Sequence, residues 1–170
     1  MKDKDLTRYL NDHLAGSSTA LLLIQELADN HDADGARDSF LHLKEAVEAD
    51  RSRLEDLFQR IGQDPSAVIQ MAGSIAAKFT SIKLMWEQIE PGKLGLFEAL
   101  ELLALGVEGK RLLWGALREI AAWFPEWEGI DFDELDQRAI QQRSDIEFWR
   151  MRAARDIMAD VDRRAGIQVT

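Results

Sequence analysis

Cysteine is absent from all 170 residues. Disulfides, zinc-thiolate sites, iron–sulfur clusters and thiol nucleophiles are excluded together. Histidine is scarce, with three copies at His13, His31 and His42, too few and too scattered for a multi-histidine iron site. Positive charge is outnumbered, 21 Lys and Arg against 31 Asp and Glu, for a formal charge of -10. Such a surface opposes nucleic-acid phosphates and anionic membranes, so neither is an expected partner. No run approaches the roughly 20 apolar residues of a membrane span, and MKDKDLTRYLND lacks an apolar leader core. The expectation is a cytoplasmic protein.

Proline is also rare. Two of the three copies, Pro65 and Pro91, stand where helices would start or stop. Between such marks, apolar residues recur at three-and-four spacing and nowhere alternate for long, so the chain reads as all-α. With 46% hydrophobic residues it can bury a core, and its length suits one domain, 1–170. The pattern predicts helices over about 6–29, 35–61, 65–90, 94–124 and 132–161. Leu10, Leu14, Leu21 and Ile24 mark the inner face of the first. Phe40, Leu43, Val47, Leu54, Leu57 and Ile61 mark that of the second, with Asp34 as its expected N-cap and Gly62 suited to its end. Asp64 and Pro65 suit the start of the third, which is amphipathic along Val68, Ala72, Ile75, Phe79, Ile82 and Trp86. The fourth is apolar on nearly all sides, which calls for several neighbours and predicts a twofold homodimer. Asp131 and Glu134 have the spacing of a capping box for the last, which turns Phe132, Leu135, Ala139, Ile146, Ala153 and Ile157 inward. The cluster WFPEW, 123–127, reads as a cap on one end of the core.

Two helices share an acid-x-x-arginine spacing, EADR at 48–51 and EFWR at 147–150. With LNDHLAGSSTALLLIQEL as a first helix, and four long helices plus a connector, the chain resembles the ferritin-like superfamily. That resemblance implies a four-helix bundle with a helical crossover between two helix pairs. It also implies an inward Glu on the first helix of each pair and Glu-x-x-His on the second, holding two metal ions. Here Ser17 or Ser18 stands at the first acid, Glu101 or Glu108 at the third helix, and Arg51 and Arg150 replace the histidines. A guanidinium has no lone pair to give a metal.

Ser17, Glu48, Asp50, Arg51, Glu108, Glu147 and Arg150 therefore form a candidate vestigial polar core, with no catalytic, cofactor or metal residues assigned. In a second register, Val47 and Asp50 take the ligand positions of the second helix. Lys110 falls on the apolar side of its helix, where it snorkels or pairs. On a helix the plain reading of E-x-x-R is a surface ion pair. The sharper one is an inward guanidinium neutralising buried acids. The functional expectation is a non-catalytic interaction or assembly module with no cofactor. The alternative is an oxidoreductase or metal carrier holding iron or manganese through Glu48, Asp50, Glu101, Glu108 and Glu147.

Overall fold

The computed structural model describes residues 4–31, 33–63 and 93–165. Asp64, Pro65 and the helix expected over 65–90 lie outside them. The described residues form four long helices: α1 (Lys4–Asn30), α2 (Ala36–Arg60), α3 (Lys93–Ile120) and α4 (Phe132–Ala165). No strand occurs among them, and no helix is long and apolar enough to cross a membrane.

Each boundary has a local cause. α2 opens after a tight turn in which the Ala36 N–H donates to Ala33 O at 3.0 Å and Gly35 takes φ 77, ψ -4. These angles fit the third position of a type II turn, which favours glycine. Gly35 is the N-cap and no side chain caps this end, which corrects the expectation for Asp34. At the other end Gly62, at φ 67, donates to Gln59 O at 2.9 Å and Gln63 N donates to Phe58 O at 3.0 Å. That pair of bonds is a Schellman closure. Just before them, Leu57 O also accepts the indole N–H of Trp127 at 3.1 Å. Two of the four orphan carbonyls of α2 are thus satisfied by the turn, and a distant tryptophan ties down the same end.

α3 stops at Ile120, short of the expected 124. Two 3₁₀ turns follow, Ala121–Trp123 and Pro125–Trp127. Pro125 disfavours helical geometry in the residue before it, and Phe124 sits at φ -124, ψ 83. Within WFPEW the tryptophans part. Trp127 is buried and stacks on Phe124 with centroids 4.3 Å apart, whereas Trp123 is exposed. Asp131 caps α4, its Oδ1 accepting from Glu134 N at 2.8 Å.

Side-chain pairs fix the helix directions. Asp29 with Arg37, Gln25 with Lys44 and Ser17 with Arg51 make α1 and α2 antiparallel. Arg118 with Asp133, Lys110 with Gln142 and Glu101 with Arg150 do the same for α3 and α4. Leu57 with Trp127, Asp50 with Gln142 and Ser39 with Trp149 make α4 antiparallel to α2. Consequently α2 and α3 run in the same direction. α1 packs on α2 and α3, and α4 on α3 and α2, around one apolar core that includes Leu14, Phe58, Leu103 and Ile146.

Asp131 satisfies an N-terminal donor of α4, the longest helix among the described residues, through its carboxylate. Asp131→Ala is expected to cost about 1 kcal/mol and Asp131→Asn far less, measured by urea unfolding followed by circular dichroism.

Candidate functional site: a buried ion cluster

Heptad-like spacing places a polar residue on the inner face of three helices. On α2 Asp50 sits between Val47 and Leu54, on α3 Lys110 between Val107 and Leu113, and on α4 Gln142 between Ala139 and Ile146; all six apolar flankers are buried. Asp50 is 1% exposed. Its Oδ2 accepts from Lys110 Nζ at 2.6 Å and from Gln142 Nε2 at 2.8 Å. Lys110 Nζ also donates to Gln142 Oε1, which closes a triangle with one member from each helix. Asp50 Oδ1 lies 3.1 Å from Arg138 Nη2, an ion contact without the angle of a hydrogen bond.

A bare carboxylate in this core would cost several kcal/mol, and here it meets one ammonium, one amide and one guanidinium. Burial pushes the Lys110 amine below its usual range, while the charge and hydrogen bond of Asp50 pull it back up. One turn further along α3, Trp114 Nε1 is buried without a hydrogen-bond partner, as is Asn11 Oδ1 on α1. The polar layer is therefore concentrated at Asp50.

The residues expected in the centre divide among four places. Asp50 is in the core. Ser17 and Arg51 meet at the edge of α1 and α2, where Arg51 Nη1 donates to Leu14 O at 2.9 Å, Ser17 Oγ at 2.8 Å and Ser18 Oγ at 2.6 Å. Its Nε lies 3.0 Å from Glu55 rather than reaching Glu48. Arg150 grips Glu147 in a fork, Nε to Oε2 at 2.8 Å and Nη2 to Oε1 at 2.7 Å. Its Nη1 reaches Glu101 at 3.2 Å and its guanidinium lies over Phe97, 5.5 Å from the ring centre. Glu48 is 52% exposed and 4.0 Å from Lys44, and Glu108 pairs outward with Arg111 at 3.1 Å.

Neither E-x-x-R arginine touches Asp50; the cations that do are Lys110 and Arg138. The five acids of the alternative metal set are not gathered. Among the described residues no group of three or more His, Asp or Glu is placed to hold a metal ion. Gln142 and Arg138 were missed by the reading of the sequence, although the gap between Ala139 and Ile146 in the inner row of α4 marks Gln142. Comparison with protein-family models, curated proteins and solved structures finds no match to this chain.

Breaking the triangle strands a charge, whereas removing it whole does not. Lys110→Met is expected to lose about 3 kcal/mol, while the triple variant Asp50→Leu, Lys110→Met, Gln142→Leu stays within about 1 kcal/mol of the natural chain or exceeds it. Urea unfolding of both variants measures this. At the α3–α4 edge, hydrogen bonds from Arg150 and then Arg143 hold Glu147 at about 2, against an ordinary 4.5. Folding then releases a proton from Glu147 over this range, so its stabilisation is complete above 4.5 and fades as pH falls toward 2. Because this edge is solvated, the stabilisation is small. Carbon-detected NMR titration should show the low midpoint, and Arg150→Ala should move it back toward 4.5.

Proposed function

We propose that this chain is a ferritin-like four-helix bundle whose centre is closed by its own ion cluster, and that it serves as a non-catalytic interaction or assembly module. The parallel course of α2 and α3 supports the topology. The ferritin-like bundle has two antiparallel pairs related in this way. The carrying observation for the function is the occupancy of Asp50. The acid at the middle of the core already has Lys110 Nζ and Gln142 Nε2 on one oxygen and Arg138 against the other.

Cations that compensate a carboxylate's charge from within the chain leave nothing for a metal to neutralise. The reading thus accounts for three features together: the inward lysine, the arginines at both E-x-x-R positions, and acids such as Glu48 turned to solvent. Proton transfer is equally disfavoured. An acid that is salt-linked to Lys110 and Arg138 and 1% exposed is out of a substrate's reach, and a general base needs its proton within reach.

Metal analysis of purified protein after incubation with iron(II) or manganese(II) tests the reading. The expected content is well below one ion per chain, with helicity and melting temperature unchanged by a chelator. About two ions per chain, retained on desalting, would overturn it.

A further inference from the structure

We propose that the outer face of α3 and α4 is the surface through which two copies of this chain associate, with a twofold axis running along the groove between the two helices. This proposal rests on the reading of the chain as an assembly module and names its partner. Nine large apolar side chains are exposed among the described residues, and six of them lie on these two helices: Leu94, Leu105, Leu112, Ile140, Phe148 and Met151. Leu105 is 69% and Phe148 63% exposed. The leucines are spaced by 11 and 7 positions and Ile140 and Met151 by 11, intervals that return to the same side of a 3.6-residue helix. Each helix therefore carries an outward apolar row.

Between the rows runs a seam of ion pairs. Arg111 meets Glu108 at 3.1 Å, Arg143 meets Glu147 at 2.9 Å, and Arg150 bridges Glu147 at 2.7 Å and Glu101 at 3.2 Å. Three guanidiniums thus face four carboxylates, since Arg111 also lies 3.2 Å from Asp136, and the seam is left only one charge negative in a chain whose net charge is -10. Elsewhere two copies repel one another. Here the repulsion is largely cancelled within each copy before they meet, which is the charge pattern a self-association surface favours.

A basic partner would call for a strongly acidic face, and this seam is close to balanced. With the axis along the groove, the leucine row of one copy lies over the Ile140, Phe148 and Met151 row of the other. Apolar then covers apolar on both sides of the seam, as an isologous contact demands. From Leu94 to Leu112 the face is about 27 Å long and about 20 Å across two helices. Its footprint, on the order of 500 Å² per copy, is below the roughly 800 Å² of a standard interface. A dimer that dissociates in the micromolar range is the expected product.

Sedimentation velocity over about 1 to 500 μM, a range bracketing that affinity, reads the outcome. The natural chain should pass from monomer to dimer. Leu105→Glu, which places two carboxylates in the twofold contact, should weaken dimerisation at least about tenfold with helicity unchanged. Leu22→Glu, at an exposed site on α1, should leave it intact. A natural chain that stays monomeric throughout, or a Leu105→Glu variant that dimerises as before, would overturn the proposal. So would a monomer whose melting temperature drops on Leu105→Glu, since the row would then be covered from within its own chain. A monomer that takes up no metal removes this interface and leaves the self-neutralised centre standing, whereas a dimer with two bound ions does the reverse.

Discussion

The contact between Lys110 and Asp50 brings opposite charges 2.6 Å apart inside a core that is otherwise almost wholly apolar, and the helix placements answer to it. Neither charge tolerates isolation there, and the attraction between them survives only while α2 and α3 keep their registers. Gln142 adds the third helix. Its amide donates to Asp50 Oδ2 and accepts from Lys110, so both ends of one side chain are committed. Sliding any one of the three helices by a turn would place Val47, Val107 or Ile146 opposite a charge. Leucine and valine layers tolerate such slips far better, because dispersion contacts are non-directional.

The other polar contacts stand at the edges and perform a different task. Arg51 ties α1 to α2 through the Leu14 carbonyl and two serine hydroxyls, and Arg150 ties α4 to α3 through Glu101. These join the members of each antiparallel pair. Among the described residues the triangle, the Trp127 indole on Leu57 O and the Trp149 indole on Ser39 Oγ cross between the pairs. The division is one of strength as well as place. Edge pairs are partly solvated and contribute modestly, whereas the central contacts set which arrangement of the pairs is allowed.

Much of this was legible in the residues. Apolar rows at three-and-four spacing located α1, α2 and α4 to within a few positions, since amphipathic periodicity reflects burial directly. The Gly62 ending and the Asp131 cap were readable because left-handed backbone and an orphan N–H each favour few residue types. The end of α3 was less so. Ala121, Ala122 and Trp123 continue its apolar pattern, and only the restriction imposed by Pro125 on Phe124 stops it. Asp50 and Lys110 were noticeable as charges on apolar faces, but their pairing spans sixty positions, and nothing local encodes it. The two E-x-x-R motifs show the limit most plainly. Identical spacing gives a carboxylate fork at Arg150, where the motif's own Glu147 is the partner, and a carbonyl and hydroxyl grip at Arg51, where the neighbouring helix supplies it.

Trp114 lies one turn from Lys110 on the inner face of α3, fully enclosed, with its indole N–H bonded to nothing. An indole's emission colour depends on the field across its ring, and a hydrogen bond to the protein, one usual source of that field, is missing here. What remains is the fixed electrostatics of the core, dominated at this height by an ammonium, a guanidinium and one carboxylate. The chain thus carries an optical voltmeter beside its own central charges. In a variant whose other four tryptophans are replaced by phenylalanine, emission from this ring would report whether the ammonium is present, without any label and without unfolding the protein.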